Sequence, residues 1–382
     1  MKVAIIHEWL IVNGGAEKVL EEILGLYPRA DLFCLLDFLP ESERRLLGGR
    51  TPKTSFLQHL PGARRHYQLY LPLMPLAVEQ FDLKGYDLII SLNYAVAKGV
   101  ITGPDQLHIA YVHTPMRFAW EMREEYLQNM GCDRGLKGFA ARLMLQRLRH
   151  WDRMTATGVD SFLANSSHVA GRIRKCYGRE STVIHPPTAT DFFTPGQAPR
   201  EDFFITVSRL VAYKRIDLLV EAFRRMPEKK LVIIGDGPEK ARLQAQARGA
   251  DNIAFLGQCD DKTVRDHLRR ARAFVFAACE DFGISPVEAQ ACGCPVIAYG
   301  RGGSRETVVT PENATADRPP TGILFPAQEA ASLTAAIRDF LARQELFTAA
   351  ACRKNALRFS RARFRQKLTR FIDRHCRKRE LN

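Results

Sequence analysis

The stretch KVAIIHEWLIVNGGAEKVLEEILGLY, residues 2–27, sets the fold class of this protein. It opens with KVAIIH, an apolar run of strand length, and GGAEKVLEEILGLY is then predicted to form a glycine turn that leads into a helix. Apolar runs that end in polar or glycine-rich turns and precede helix-like segments recur along the whole chain. This alternation is typical of α/β domains built on a parallel sheet.

Two groups of predicted strands follow this pattern. In the first half they are KVAIIH (2–7), DLIISL (87–92), LHIAYVH (107–113), SFLANS (161–166) and STVIHP (181–186). In the second half they are FFITVS (203–208), KLVIIGDG (230–237), NIAFLG (252–257), AFVFAA (273–278), PVIAYG (295–300) and GILFP (322–326). Between the groups, the proline-rich and polar segment 185–202 is predicted to be an interdomain linker. The expected architecture is two similar doubly wound halves joined by a hinge.

Length and composition limit the class of protein. A chain of 382 residues with 46% hydrophobic and 26% charged residues is expected to form two or three folded domains. No apolar run reaches the length of a membrane span, and Glu8 interrupts the apolar start, so neither a spanning helix nor a signal peptide is predicted and a cytoplasmic location is expected. Nine cysteines without a CxxC pair indicate reduced thiols rather than a zinc site.

The charge of the chain indicates an anionic partner. The formal net charge is +14, and the segment from Arg353 to Arg379 is especially rich in lysine and arginine. Nucleic acid, a phosphorylated substrate and an anionic membrane surface all remain open on charge alone.

The common nucleotide-binding signatures are absent from the sequence. There is no GxxxxGK[ST] loop, and the closest approach to GxGxxG, between Gly235 and Lys240, has lysine in place of the third glycine. No Asp-x-Asp triplet is present to hold a divalent metal on a diphosphate. If phosphates bind, backbone amides and basic side chains must hold them, and no metal or other cofactor is expected.

Two short segments place candidate ligand-binding groups after predicted strands. Gly14 and Gly15 follow the first strand, where bare backbone can approach a ligand, although a tight turn without any ligand explains the pair equally well. Arg209 and Lys214 follow FFITVS, at the carboxyl end where ligands gather in open α/β sheets. Their alternative is ordinary solvated surface charge.

The segment from Glu280 to Glu288, EDFGISPVE, carries the sharpest signal. It follows AFVFAA and leads into a helix predicted to begin near Pro286, so that Glu280 lies in a loop and Glu288 in a helix. The backbone N–H groups of Phe282, Gly283 and Ile284 are then positioned to hold a phosphate. The alternatives are a turn acid and a solvated helix carboxylate.

A histidine and a basic helix in the first half are further candidates. His113 closes the strand LHIAYVH and so projects from the carboxyl end of the first sheet, whereas a lone histidine is more often structural. Between Arg134 and Arg153, leucines and Phe139 alternate with arginines at helical spacing. This helix either lies on a membrane or packs its apolar stripe against the core.

Taken together, the segments resemble the retaining glycosyltransferases of family 4, which have the GT-B fold. In the second half the resemblance rests on VSRLVAYKRIDLLVEAF, LVIIGDGP, IAFLG, EDFGISPVEAQACGCPVIA and GILFP, in that order. In the first half NGGAEKVL, YVHTPMRFAWE and ANSSHVAGRI are similar to the subgroup that builds bacterial surface polysaccharides, often with GDP-mannose as donor.

The resemblance implies a particular division of the chain. Two Rossmann-like doubly wound parallel-sheet domains are expected to face a central cleft, with residues 1–187 on the acceptor side and residues 188–359 binding the donor. A helix over about residues 360–382 is expected to pack back on the first domain.

Roles for the candidate residues are implied in the same way. Arg209 and Lys214 would bind the donor diphosphate, with the backbone of 282–284 supporting its distal phosphate. Glu280 would contact the transferred sugar and Glu288 the ribose. In the first domain, Gly14 and Gly15 would line the cleft and His113 would lie beside the reacting sugar.

The function implied is transfer of a hexose, mannose from GDP-mannose, to a glycan or a polyprenyl-diphosphate-linked acceptor, with retention of configuration. A UDP-sugar-dependent enzyme of the same fold is the alternative within the class. A basic nucleic-acid-binding protein is the alternative of another class, supported only by charge, and no nucleic acid partner is expected if the resemblance holds. A dehydrogenase is disfavoured because the dinucleotide fingerprint is missing.

Overall fold

The computed structural model describes residues 1–380, apart from the side chains of residues 129 and 378–380. Within this range the chain divides into two compact units. The first contains residues 1–186 and 365–380, and the second contains Pro187–Phe364. The last two residues of the predicted terminal helix, 381 and 382, lie outside the described residues.

The first unit is built on a parallel sheet of seven strands. The strands are β1 Val3–Leu10, β2 Asp31–Asp37, β3 Lys53–Thr54, β4 Leu88–Asn93, β5 Leu107–Val112, β6 Ser161–Ala164 and β7 Ser181–Val183. Its helices are α1 Gly15–Leu26, α2 Ala63–His66, α3 Met74–Glu79, α4 Arg123–Asn129, α5 Gly135–Met154 and α6 Ser167–Tyr177, with short 3₁₀ segments between them.

The second unit contains a parallel sheet of six strands. These are β8 Phe203–Val207, β9 Lys230–Ile234, β10 Ile253–Gly257, β11 Ala273–Phe276, β12 Val296–Tyr299 and β13 Gly322–Phe325. Its helices are α7 Ile216–Arg224, α8 Lys240–Gln246, α9 Asp261–Arg270, α10 Ile284–Ala291, α11 Ser304–Thr307, α12 Ala330–Ala342 and α13 Ala349–Ala356. The final helix, α14 Arg361–Glu380, starts in this unit and continues into the part of the chain assigned to the first.

Both sheets reverse their winding at one point. The strand order is β3-β2-β1-β4-β5-β6-β7 in the first unit and β10-β9-β8-β11-β12-β13 in the second. The reversals therefore lie between β1 and β4 and between β8 and β11. Loops that leave the carboxyl ends of strands at such a reversal diverge to opposite faces of the sheet and leave a crevice where ligands bind.

Burial explains why the strands read as continuous apolar runs in the sequence. All six residues of β4 and of β5 are buried, and so are all four residues of β11 and of β12. A parallel sheet with helices on both faces buries its strands on both sides, so alternation of polar and apolar residues is lost. The two-unit α/β architecture predicted from the sequence is confirmed.

Two features differ from the expectations. Strands β2 and β3 were not among the predicted strands, although β2 is the apolar run DLFCLLD with five buried residues. The proline-rich segment 185–202 lacks helix and strand as expected, but from Pro187 onward it packs within the second unit. Arg353 Nη1 donates to the carbonyl oxygens of Thr190 and Phe193, at 2.7 Å each, and Phe193 is buried. A segment held in this way is part of a domain rather than a free linker.

All nine cysteines have free thiols. No helix within residues 1–380 combines the length and the apolar composition needed to cross a lipid bilayer.

Candidate active site

In the second unit, two predicted site residues meet at the reversal of the sheet. Lys214 ends a 3₁₀ helix, Ala212–Lys214, in the loop after β8, and Glu280 lies in the loop after β11. The Lys214 ammonium forms an ion pair with the Glu280 carboxylate. Both side chains are largely but not fully buried, with 15% and 19% of their surface exposed, so a ligand can reach them. The structure thus brings a cation and an acid together where the fold favours a ligand.

Helix α10 follows directly, and it begins at Ile284, two residues before the predicted start at Pro286. Gly283 precedes it with φ of 83° and ψ of 87°, a left-handed conformation that side chains other than glycine rarely adopt. The first N–H groups of a helix have no acceptor within the helix, which makes them donors for an anion. Phe282 supplies only backbone to this arrangement, because its side chain is buried against the ring of Phe359.

Glu288 lies on α10 and is buried, with 6% of its surface exposed. A carboxylate in this position is not the solvated helix acid that the sequence left as an alternative. Burying a carboxylate is costly unless it is paired or hydrogen-bonded.

Gly302 and Gly303 shape the same loop from the next connection, after β12. The Gly303 N–H donates to the Glu280 carbonyl oxygen at 2.8 Å. A Cβ atom at Gly303 would lie 2.3 Å from Phe282 Cα, and one at Gly302 would lie 2.2 Å from the Glu280 carbonyl oxygen. Only glycines allow these two loops to touch, so both glycines position the Glu280 backbone.

Arg209 follows β8 and its side chain is exposed. The glycine loop after β9 packs against this segment, because a Cβ at Gly235 would lie 1.9 Å from the Ser208 carbonyl oxygen and one at Gly237 would lie 2.3 Å from that of Leu210. In that loop Lys240 Nζ donates to Asp236 Oδ2 at 2.6 Å. The motif GDGPEK thus packs its backbone closely against the segment after β8 and contains an internal ion pair between Lys240 and Asp236.

In the first unit, Gly14 and Gly15 lie at the start of α1, after β1 and therefore beside the reversal of the first sheet. The Gly14 N–H is already bound, since it donates to Glu17 Oε2 at 2.9 Å. Glu17 Oε1 lies 3.1 Å from His7 Nε2. Burial alone would raise the pKa of the Glu17 carboxyl, but the hydrogen bonds from His7 and Gly14 outweigh it and lower the pKa.

His113 follows β5, and its backbone is held on both sides. Its N–H donates to the Asn93 carbonyl oxygen, and its carbonyl oxygen accepts from Asn165 Nδ2, both at 2.8 Å. The ring packs edge-on against Tyr111 and Tyr94, and Nε2 has no hydrogen-bond partner in the described part of the chain. Burial lowers the pKa of His113 to about 3, so the ring is neutral near pH 7.

Among residues 1–380, no group of three or more histidine, cysteine or acidic side chains is arranged to hold a metal ion.

Sequence reasoning missed several residues that shape these sites. Gly302 and Gly303 were visible as a glycine pair after a predicted strand, the same signal that singled out Gly14 and Gly15. Glu17 follows Gly14 by three residues, the spacing at which a helix acid reaches back to its cap. His7 could not be singled out from the sequence, because its hydrogen-bond partner, Glu17, lies on a different element, helix α1.

The match to a known protein family falls within the second of the two units. The family described as Glycosyl transferases group 1 matches residues 188–359. A D-inositol 3-phosphate glycosyltransferase of Geodermatophilus obscurus is 32% identical over 53% of this chain and 49% of its own length. A GDP-mannose-dependent monoacylated α-(1-6)-phosphatidylinositol monomannoside mannosyltransferase of Corynebacterium glutamicum is 29% identical over 52% of this chain and 57% of its own length. The match thus spans about half the length of these curated relatives.

Solved structures extend the likeness of fold to nearly the whole chain. The Anabaena protein HepE in complex with UDP aligns with 98% of this chain and 100% of its own, at 18% identity and a TM-score of 0.69. Sucrose-phosphate synthase from Thermosynechococcus elongatus aligns with 99% of this chain and 100% of its own, at 18% identity and a TM-score of 0.72. Residues 188–359 thus match the group 1 glycosyl transferase family, and the two parallel-sheet units have the GT-B fold of these solved structures.

Proposed function

We propose that this protein is a retaining glycosyltransferase that moves a hexose from a nucleoside diphosphate sugar to an acceptor hydroxyl. The observation that carries the proposal is the Lys214–Glu280 pair at the reversal of the second sheet, within the group 1 domain. A diphosphate leaving group gains negative charge as its bond to the sugar breaks. Lys214, Arg209 and the first N–H groups of α10 are suited to stabilise that charge without a metal.

Glu280 and Glu288 are proposed to hold the two ends of the donor. The loop acid Glu280, next to the phosphate-binding amides, would accept hydrogen bonds from the sugar hydroxyls. The buried carboxylate of Glu288 on α10 would accept hydrogen bonds from the ribose. His113, neutral near pH 7, would contribute a hydrogen bond rather than a charge.

GDP-mannose is our proposed donor, for a glycan or a polyprenyl-diphosphate-linked acceptor. This choice is supported by the first-half segments and by the GDP-mannose-dependent relatives of Corynebacterium glutamicum and Mycolicibacterium smegmatis, which are 29% and 28% identical over about half of this chain. A UDP-sugar is the competing donor. A peripheral site of action on the cytoplasmic membrane face is part of the proposal, because a lipid-linked acceptor lies there.

A donor screen tests the proposal. Purified protein with EDTA present is incubated with GDP-mannose, UDP-glucose, UDP-galactose, UDP-N-acetylglucosamine and TDP-sugars, and thermal unfolding and release of nucleoside diphosphate are measured. A bound donor raises the melting temperature by mass action. Stabilisation and turnover with GDP-mannose alone support the proposal, and preference for a UDP-sugar replaces the donor. Activity that is lost in EDTA and restored by manganese contradicts the metal-free part. If no donor gives a response and nucleic acid binds tightly, the proposed function as a whole is overturned.

A further inference from the structure

Glu17 lies on α1, and its carboxylate contacts both the turn before that helix and strand β1. Both contacts lie within ten residues of Glu17 in the sequence. One oxygen accepts the N–H of Gly14, the residue before α1, at 2.9 Å. The other lies 3.1 Å from Nε2 of His7, which is on β1. Both His7 and Glu17 are buried, with 0% and 6% of their surface exposed. One buried carboxylate therefore holds the glycine turn against the strand that precedes it.

The Tyr94 ring contacts both His7 and His113. The Tyr94 ring lies 6.1 Å from the His7 ring and 6.1 Å from the His113 ring, edge-on to each. Nδ1 of His7 and Nε2 of His113 have no hydrogen-bond partner in the described part of the chain. Since Nε2 of His7 faces a carboxylate, we assign its proton to Nε2.

We propose that Glu17 and His7 are positioning residues for transfer: they fix the backbone of the Gly14–Gly15 turn and the edge-on ring contacts, through Tyr94, that end at His113. This inference rests on the proposed function, because it assigns the turn and His113 to the reacting end of the donor. It adds two residues that neither contact the donor nor appear among the expected site residues.

Helix capping alone is the competing explanation for Glu17. An acid at the third position of a helix often accepts the N–H of the residue before the helix, and that bond stabilises the helix end. Capping needs only one oxygen, whereas here both oxygens are used and the second binds a buried side chain on another element. The two explanations differ in what they predict for catalysis by correctly folded protein.

Glu17→Gln separates them, because a carboxylate has two acceptor oxygens and an amide has one. The variant keeps the size of the side chain but can accept from Gly14 or from His7, not from both. Glu21→Gln is the matched control, since Glu21 is exposed on the same helix and the change in charge is identical. Each protein is measured for kcat, for affinity toward GDP and UDP, for melting temperature and for hydrogen exchange of the Gly14 amide.

We expect Glu17→Gln to lower kcat about tenfold or more, with GDP and UDP affinity within about twofold of wild type, because the diphosphate site lies in the other unit. Exchange of the Gly14 amide or the His7 tautomer seen by ¹⁵N NMR changes with it, since one of the two hydrogen bonds is lost. Glu21→Gln leaves all four quantities as in wild type.

Wild-type values of kcat, Gly14 exchange and His7 tautomer in Glu17→Gln would overturn the inference. A lower melting temperature with unchanged kcat per folded molecule would also overturn it, in favour of capping alone. If the wild-type protein transfers no sugar at all, the proposed function fails first. The Gly14 exchange and the His7 tautomer then decide by themselves whether Glu17 fixes the turn.

Discussion

The Lys214 ammonium and the Glu280 carboxylate are ion-paired across the reversal of the second sheet, where the loops after β8 and β11 diverge. Each of these groups is proposed to bind a different part of the donor. The ion pair neutralises both groups, so under the proposed function a nucleoside diphosphate would compete with Glu280 for Lys214. Binding of the donor would exchange one partner of Lys214 for another and leave Glu280 to accept hydrogen bonds from the sugar.

The first prediction separates these two roles. Lys214→Ala should weaken GDP or UDP binding about tenfold or more, because hydrogen bonds to charged groups contribute about 1.5–3 kcal/mol. Glu280→Gln should bind the same nucleotide as tightly as wild type or more tightly, since Lys214 loses its competing partner. Its rate of sugar transfer should nevertheless fall about a hundredfold. Titration calorimetry and a transfer assay measure the two effects.

Lys230→Ala is the control for this pair of variants. Lys230 is an exposed lysine at the amino end of β9, whereas Lys214 and Glu280 follow the carboxyl ends of strands in the same sheet. Its loss should change neither binding nor transfer. Unchanged nucleotide affinity in Lys214→Ala would remove Lys214 from the site.

The second prediction concerns Gly303. Its Cβ would overlap with the Phe282 backbone, so Gly303→Ala should displace the loop that carries Glu280 and lower both nucleotide affinity and transfer. Overpacking of this kind costs about 1–3 kcal/mol of stability. Gly171→Ala is the control, because nothing lies within 4 Å of a Cβ there and the residue is within α6. That change should raise stability by roughly 0.5–1 kcal/mol. Equal melting temperatures for the two variants would contradict the packing argument.

The fold was predictable because each buried strand leaves an apolar run and each turn leaves glycine or polar residues. The runs around β1, β4, β5 and the six strands of the second unit were found in this way. Strand β2 was missed although DLFCLLD is such a run, and β3 spans only Lys53–Thr54, which is too short to leave a pattern. A parallel strand pairs with distant residues, so its own sequence carries little of the information that places it.

Parts of the candidate site could be predicted only where the local sequence itself fixes the position of a residue. EDFG, with its glycine at positive φ, and the basic turn with Lys214 lie after strands and were recognisable. The ion pair between Lys214 and Glu280 was not, because it depends on two loops 66 positions apart that meet only when β8 and β11 pair. The bond of Glu17 to His7 was hidden although the two residues are only ten positions apart, because it depends on how α1 packs against β1.

The third prediction concerns acid stability. Burial lowers the pKa of His108 to about 4, and its ring nitrogens lie 2.9 Å from Ser91 Oγ and 3.4 Å from the Gly158 carbonyl oxygen. The folded state therefore keeps this ring neutral while the unfolded chain binds a proton below about pH 6.5. Stability from this group is complete above pH 6.5 and is lost as the pH falls toward 4, with a slope of about 1.4 kcal/mol per pH unit.

Thermal unfolding at half-unit steps of pH measures this slope. His108→Gln should show a shallower loss of melting temperature between pH 6.5 and 4 than wild type, whatever its stability at pH 8. His59→Gln changes an exposed histidine and should leave the slope as it is. Identical slopes in wild type and His108→Gln would show that His108 is not the group that takes up the proton.

The last prediction concerns helix α5, where the structure divides the apolar residues of the predicted amphipathic segment into two sets. Leu145 and Leu148 are buried in the core, whereas Leu136, Phe139 and Leu143 are 89%, 69% and 40% exposed. Exposed apolar side chains beside exposed basic residues suit the surface of an anionic bilayer, where each basic residue contributes about 1 kcal/mol. We expect the protein to sediment with vesicles containing phosphatidylglycerol at low salt and to be released at high salt, with little binding to phosphatidylcholine alone. Phe139→Asp and Leu143→Asp should each weaken sedimentation, while Leu346→Asp, at a leucine 41% exposed in the second unit, should not. Equal sedimentation of all three variants would exclude α5 as the contact, and no binding of wild type to anionic vesicles at low salt would favour a soluble acceptor.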